Sequence, residues 1–146
     1  MAAYGPDTAL LLEEFPQPEV QRYLGRLEDL APGVLEGYAA MRRAALRPPP
    51  DGQLPLKVKE LVILAIECAA RRSKTPPTSH VHKAMDAGAT TREIAEVVSL
   101  CIMLTGMLTY QECGRFILED AEAYEASSRS RELGATLKEL DEEASR

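Results

Sequence analysis

The sequence contains no tryptophan and only two phenylalanines. The cores of β-sheet proteins are usually rich in β-branched and aromatic side chains, so this shortage argues against a sheet fold. The apolar share is nevertheless 45%, and leucine and alanine, which are strong helix formers, make up most of it. The composition therefore predicts an all-α fold.

Cysteine is scarce as well. The three cysteines, Cys68, Cys101 and Cys113, are spread along the chain, and no two of them form a Cys-x-x-Cys motif. An odd number of widely spaced cysteines fits neither a disulfide framework nor a zinc knuckle. We therefore expect no disulfide scaffold and no metal site.

The chain also lacks an excess of positive charge, since 17 Lys and Arg residues stand against 23 Asp and Glu residues, for a net charge of −6. Such a surface repels phosphate backbones, which argues against nucleic-acid binding. The N-terminus has no basic segment followed by an apolar run, so no secretory signal is expected. The most apolar stretch, Ile94 to Tyr110, contains Glu96 within an amphipathic pattern and is interpreted as a buried helix. We expect a cytoplasmic protein without a membrane partner.

A chain of 146 residues is expected to form one domain, here residues 1–146. Residues 1–17 contain two prolines and a short apolar cluster, and we predict an irregular arm there. Residues 127–146 form a highly charged tail in which Leu133, Leu137 and Leu140 recur at helical spacing. Two alternatives stay open for this tail: a helix that docks on a neighbour, or a partly ordered extension.

Between the arm and the tail, the apolar periodicity predicts a domain of about six helices. Prolines are favoured at the first helical position and glycines just after the last one. We expect the first two helices to begin at Pro18 and Pro32. The third spans Pro55–Arg72, the fourth runs from about Thr78 to Gly88, and the fifth starts after Thr90. A further helix continues to about Ala126. Thr90 and Glu93 form a capping-box pattern at the start of the fifth helix.

Two predicted helices place ionisable groups among apolar side chains. On a helical wheel of the third helix, one stripe contains two acids and three aliphatic residues, namely Leu56, Glu60, Ile63, Leu64 and Glu67. On the fourth helix His80 lies on the apolar side and His82 at its rim. An inward histidine near inward carboxylates is a candidate proton-transfer site.

Structural roles are the alternatives for the same residues. An inward histidine is often a satisfied core residue, and His82 is most simply solvated. Glu60 could pair with Lys57 or Lys59 at a helix surface. Glu67 could pair with Arg71 one turn further on, as an ordinary i,i+4 ion pair.

The segment from Leu54 to Tyr110 resembles the carboxymuconolactone decarboxylase family, which includes the alkylhydroperoxidase D-like proteins. The resemblance rests on a Glu-Leu pair that opens an aliphatic helix (Glu60 and Leu61), on a histidine eight residues before a glycine (His80 and Gly88), and on a Gly-Ala-Thr followed by Glu-Ile that ends at Ile94. It implies an all-helical, alkylhydroperoxidase D-like subunit that assembles into trimers or hexamers, with a pocket near the subunit contacts. It also implies that Glu60 and His80 take part in a proton relay.

In the peroxidase branch of this family, a Cys-x-x-Cys motif has its second cysteine four residues before the histidine. Here the two places hold Ser73 and Pro76, which cannot form the thiolate or the disulfide of a thiol peroxidase. The resemblance therefore favours a cofactor-independent decarboxylase, or a related lyase or isomerase, acting on a small carboxylic acid or lactone. Glu67 and His82 are weaker candidates for supporting or substrate-binding residues. The alternatives are a non-catalytic, ligand-binding oligomeric module of the same fold and, less favoured, a thiol peroxidase.

Overall fold

A computed structural model describes residues 6–13, 17–71 and 78–144 of the chain. Within these ranges it contains seven α-helices and one π-helical turn, and no β-strand. The helices are α1 (Pro6–Glu13), α2 (Pro18–Leu30), α3 (Val34–Ala45), α4 (Leu56–Ala69), α5 (Thr78–Asp86), α6 (Thr91–Thr105) and α7 (Arg115–Ala144), and the π-turn spans Tyr110–Gly114. The all-α prediction is confirmed.

The chain divides into two compact units, Met1–Gln53 and Leu54–Arg146. In the first unit, α1 and α2 both pack against α3. Thr8 at the start of α1 donates from its backbone N–H and its hydroxyl to the Glu36 carboxylate of α3, at 3.1 and 2.8 Å. Leu11 and Leu35 are buried in this unit. The irregular arm predicted over residues 1–17 is therefore wrong for residues 6–13, because α1 has both a buried apolar residue and a polar anchor on α3.

The second unit contains the other four helices. α4 packs against α5 and α6, and α7 packs against α5 and α6. Its core consists of small and medium aliphatic side chains and thiols, including Leu64, Cys68, Val81, Ala84, Ile94, Val98 and Ile117. Side chains of this size allow helices to approach closely, in line with the composition. The prediction of a single domain over residues 1–146 stays a prediction.

The helical wheel of α4 predicts the burial of its central residues correctly, but it is wrong about the burial of its first residue. Glu60 and Leu64 are buried, but Leu56 is 37% exposed because it stands at the first turn of the helix. The helix ends at Ala69, earlier than the predicted Arg72, and Arg71 adopts a left-handed conformation with φ 53°. Most of the predicted break at Ser73–Thr78, including Ser73 and Pro76, lies outside the described residues.

The capping box at the start of α6 is confirmed. The Thr90 hydroxyl accepts from the Glu93 backbone N–H at 3.2 Å, and the Glu93 carboxylate accepts from the Thr90 N–H at 2.8 Å. The same carboxylate accepts from Lys57 Nζ of α4 at 2.9 Å, and this hydrogen bond is the main reason why the pKa of Glu93 lies below its usual value. A lowered carboxyl pKa means that the pair stabilises the fold above the pKa of the unfolded chain and loses this effect as the pH falls through the lowered value.

Replacing Thr90 with alanine is expected to lower the free energy of unfolding by about 1 kcal/mol. The N–H of Glu93 lies in the first turn, where it has no acceptor within the helix, and the substitution removes the hydroxyl that accepts from it. Urea denaturation followed by circular dichroism measures this change. Ser99→Ala serves as a matched control, since the Ser99 hydroxyl only bonds the Ala95 carbonyl on an exposed part of α6. An equal loss in both variants would mean that the cap contributes nothing of its own.

The stretch from Ile94 to Tyr110, predicted to be a buried helix, is only partly so. Ile94, Val98 and Cys101 are buried, but the opposite face is open, with Met103 71% and Leu104 80% exposed. The helix ends at Thr105, because Gly106 leaves the helical region with φ 91°. No helix in the described parts of the chain is long and apolar enough to cross a membrane.

The segment after α6 returns through the π-turn into α7, which is far longer than predicted. The sequence places the end of this helix near Ala126, whereas α7 continues through the charged tail to Ala144. Of the two alternatives for the tail, residues 127–144 are thus helical. Gly114, the last residue of the π-turn, is buried, and a Cβ built there would meet the Val98 side chain of α6.

Candidate active site

The two residues that the sequence analysis singles out first lie in direct contact. Nδ1 of His80, on α5, is 2.7 Å from Oε2 of Glu60, on α4. The Glu60 side chain is 2% exposed, and the His80 side chain keeps 18% of its surface. The wheel prediction that both residues point inward is therefore confirmed, and both belong to the second unit.

Local sequence explains why these side chains meet. Glu60 lies one turn before the buried Leu64, so both fall on the α4 face that packs against α5. His80 precedes the buried Val81 and lies one turn before Ala84, which is completely buried. The packing of α4 on α5 thus brings a carboxylate and an imidazole to one boundary of the core.

The proton arrangement of the pair depends on the tautomer of the ring, since either nitrogen of a neutral imidazole can carry the proton. A carboxylate only accepts hydrogen bonds, so with Glu60 ionised the contact requires the proton on Nδ1. In that tautomer Nε2 has a lone pair that can accept a proton, which makes His80 a candidate acid and base.

Glu67, the second acid of the predicted stripe, lies two helical turns beyond Glu60. Its Oε2 atom is buried and has no hydrogen-bond partner among the described residues. The ion pair considered between Glu67 and Arg71 is not the one that forms: Arg71 Nε lies 3.6 Å from the Glu112 carboxylate of the π-turn. The left-handed backbone at Arg71 ends the helical register on which an i,i+4 pair depends.

His82 lies in a separate cluster on the side of α5 that packs against α7. Its Nε2 is 3.4 Å from Asp120 Oδ1, and its ring stacks on Tyr124 with centroids 4.1 Å apart. Tyr124 in turn donates its hydroxyl to Asp86 at 2.6 Å. Sequence reasoning missed Asp120 and Tyr124, although their spacing from the buried Ile117 and Ala121 places them beside the packed face of α7.

The three cysteines are all buried, and none is in a disulfide. Burial and the neighbouring thiols raise the pKa of Cys68 to about 12, and burial also raises the pKa of Cys113. The thiolate is the reactive form of cysteine, so the thiols of Cys68 and Cys113 are poor nucleophiles at neutral pH. Among the residues that the structure describes, no three His, Cys, Asp or Glu side chains are arranged to hold a metal ion.

Comparison with known proteins agrees with this architecture. The sequence model of the carboxymuconolactone decarboxylase family matches residues 32–110, which include both Glu60 and His80. The fold is similar to that of a crystal structure from Burkholderia xenovorans LB400, provisionally assigned as a carboxymuconolactone decarboxylase. The two share 28% sequence identity with a TM-score of 0.67, over 75% of this chain and 82% of the other. None of the curated proteins matches the chain significantly. Because the family model covers more than half of the residues, the chain belongs to the carboxymuconolactone decarboxylase family.

Proposed function

We propose that the protein is a cofactor-independent decarboxylase, or a related lyase or isomerase, that acts on a small carboxylic acid or lactone. The observation that carries this proposal is the 2.7 Å contact between the buried Glu60 carboxylate and a His80 ring that is still partly exposed. The family to which the chain belongs, and its similarity to the Burkholderia protein, support the same class of reaction.

His80 is the general acid and base in this proposal. When the carbon that loses CO₂ is next to a carbonyl carbon, or is conjugated to one as in an unsaturated lactone, the electron pair of the broken bond is delocalised as an enolate-like carbanion. Nε2 of the protonated His80 then delivers a proton to that carbon, and the neutral ring regains a proton from water before the next turnover. In an isomerisation, the same nitrogen would remove a proton from one carbon and return it to another.

Glu60 is a positioning residue for this chemistry, because it acts through His80. A buried carboxylate is costly unless it is paired, and the imidazolium that forms at His80 is the cation that faces it. Glu60 holds Nδ1 of the ring, so that Nε2 is the nitrogen that reacts with a substrate. Glu67 and His82 remain candidates for supporting or substrate-binding roles, with Glu67 on the same helix and His82 in the cluster against α7.

The thiols favour this proposal over peroxide reduction. A thiol peroxidase needs an accessible, low-pKa cysteine, whereas Cys68 is completely buried and its pKa is raised to about 12. Cys101 and Cys113 are buried beside it.

The proposal is tested by incubating the purified protein with a panel of small 3-oxo acids, unsaturated acids and lactones in D₂O. Release of CO₂ or migration of a double bond, with deuterium incorporated at the product carbon, is the expected result. Proton NMR follows both the loss of substrate and the position of the label. Uptake of deuterium that depends on His80 supports the relay, whereas turnover that proceeds unchanged in His80→Gln contradicts it.

We also propose that the chain self-associates through the exposed face of α6. Four large apolar side chains on this helix and just after it are more than half exposed, namely Leu100, Met103, Leu104 and Met107. Contiguous apolar surface of this kind is typical of protein interfaces. Trimers or hexamers are the expected assemblies.

Replacing Leu104 with aspartate is therefore expected to shift the protein towards monomer, because an interface centred on this residue would have to bury an unpaired charge. Light scattering coupled to size-exclusion chromatography at micromolar concentration measures the mass. Ala123→Asp places the same charge at an exposed site on α7 and should leave the mass unchanged. A wild-type protein that is already monomeric would show the interface to be wrong.

A further inference from the structure

The helix that carries His80, α5, has a second contact between a histidine and an acid on its other side. At 3.6 residues per turn, residues two apart lie about 200° around a helix, so His80 and His82 extend in nearly opposite directions. His80 contacts Glu60 of α4, whereas Nε2 of His82 is 3.4 Å from Asp120 Oδ1 of α7. This nine-residue helix therefore lies between two carboxylates that belong to different neighbouring helices.

The polar part of the contact with α7 extends over one turn of each helix. His82 and Asp86 are four residues apart on α5, and Asp120 and Tyr124 are four residues apart on α7. The Tyr124 ring stacks on the His82 ring with centroids 4.1 Å apart, and the Tyr124 hydroxyl donates to Asp86 at 2.6 Å. Because these contacts lie at two successive turns, they oppose rotation of α5 about its own axis.

The apolar residues of α5 do less to fix this rotation. Val81 and Ala84 are completely buried, and neither side chain is larger than valine. Their burial holds the helix against the core, but the hydrophobic effect is non-directional. The rotation of α5 therefore depends strongly on its directional polar contacts, those with α4 on one side and those with α7 on the other.

A small rotation of α5 would displace the reacting nitrogen of His80. Side-chain atoms lie about 5–6 Å from a helix axis, so a rotation of about 10° moves them by about 1 Å. A misplacement of about 1 Å can lower the rate of a positioned reaction by about 100-fold. The contacts on the α7 side thus bear on the position of Nε2, the atom that reacts in the proposed function.

Asp120 makes its contact at a cost in stability. Its Oδ2 atom is buried and has no hydrogen-bond partner among the described residues, although buried polar atoms normally have one. Its Oδ1 atom faces His82 at 3.4 Å, which is long for a hydrogen bond. A carboxylate with one unpaired buried oxygen stabilises a fold less than a fully paired one does. Stability alone therefore does not explain an acid at this position.

We propose that Asp120 and Tyr124 are positioning residues of the active site. They hold His82 and Asp86, and in this way they fix the rotation of α5 at which Nε2 of His80 meets a substrate. Neither residue contacts the substrate, since both act through α5. The inference rests on the proposed function, which makes His80 the acid and base.

The coupling between the two sides of α5 can be observed without a substrate, because the chain contains only two histidines. In protein labelled with ¹⁵N-histidine, long-range proton–nitrogen NMR spectra give ring signals for both residues, and His80→Gln and His82→Gln assign them. Asp120→Asn removes the charge beside His82 and keeps the size of the side chain. We expect this variant to shift the signals of His82 by direct contact and those of His80 through the rotation of α5.

Tyr124→Phe tests the same coupling without a change of charge, since it removes only the hydroxyl that bonds Asp86. It should shift the His80 signals as well. Glu119→Gln is the matched control for loss of charge, because Glu119 precedes Asp120 on α7 but is exposed, and it should leave the His80 signals in place. His80 signals that do not move in either of the first two variants overturn the positioning role of the residue replaced there.

Kinetics provides the second test, on a substrate whose turnover depends on His80. Asp120→Asn and Tyr124→Phe should each lower kcat by about threefold to thirtyfold, while KM changes by less than about twofold. In a His82→Gln background, Asp120→Asn should lower kcat by less than a further twofold or so, because the residue through which it acts is already lost. Fully additive effects, or a wild-type kcat in Asp120→Asn, would contradict the proposal.

Failure of the proposed function gives a different result. In that case no substrate depends on His80, and His80→Gln has the wild-type rate or there is no turnover to measure. The NMR comparison still decides whether Asp120 and Tyr124 control the position of the His80 ring.

Discussion

Replacing His80 with glutamine is expected to lower the turnover rate by about 10²- to 10⁴-fold on the substrate that the panel identifies, the range that general acid–base groups contribute. Glutamine has similar size and can still hydrogen-bond Glu60, but its amide neither takes up nor releases a proton near neutral pH. Steady-state kinetics gives kcat and kcat/KM for both proteins. Because the lost step is proton transfer, the decrease should fall on kcat more than on KM.

Glu60→Gln is expected to have a smaller effect, a decrease in kcat of about tenfold or more. The amide keeps the hydrogen bond but no longer stabilises the imidazolium, and its NH₂ group can hold the wrong tautomer of the ring. Glu122→Gln is the matched control, since it makes the same change of side chain at an exposed position of α7 that the proposed relay does not involve. Far-ultraviolet circular dichroism establishes that each variant is folded. A folded His80→Gln protein with the wild-type rate would refute the relay.

Much of this site could be predicted because it depends on helical periodicity alone. The inward positions of Glu60 and His80 follow from residues one turn away in the same helix, and the capping box at Thr90 from residues three apart. The contacts of His82 could not be found in this way. They require α7, some 40 residues further on, to place Asp120 and Tyr124 against α5, and no local pattern encodes that packing.

Other errors have the same physical origin. The spacing of apolar residues identifies an apolar helix, but it does not show how much of that helix a small unit can bury. The prediction that Ile94 to Tyr110 forms a buried helix therefore misses the exposed Leu104. Prolines near the N-terminus suggest an irregular arm, yet Pro6 stands at the first position of α1, where a missing N–H costs nothing. The predicted end of α7 is wrong for the opposite reason. Charged residues suggest a solvated tail, but they do not end a helix.

A single methyl group added at Gly114 should be damaging to stability. A Cβ built there would lie 2.6 Å from Val98 Cγ1 and 3.3 Å from Tyr110 Cδ2, and Val98 is 2% exposed, with little space to move. We expect Gly114→Ala to lower the free energy of unfolding by about 1–3 kcal/mol. Urea denaturation measures it, and Gly134→Ala is the control. Gly134 lies in the interior of α7 with nothing within 4 Å of its added Cβ, so alanine there should stabilise by about 0.5–1 kcal/mol.

A double-mutant cycle assigns this cost to its cause. Val98→Ala removes the Cγ1 atom that the new methyl group would meet, so Gly114→Ala in that background should cost less than in wild type by about 1 kcal/mol or more. Equal costs in both backgrounds would mean that the loss comes from the backbone of the π-turn instead of from the approach of α6. Which of these two causes applies also matters for the buried cysteines, because the same added Cβ would lie 3.8 Å from Cys68 Sγ. If α6 must move to admit alanine, the packing around Cys68 and Cys113 loosens with it, and their reaction with a thiol reagent should accelerate.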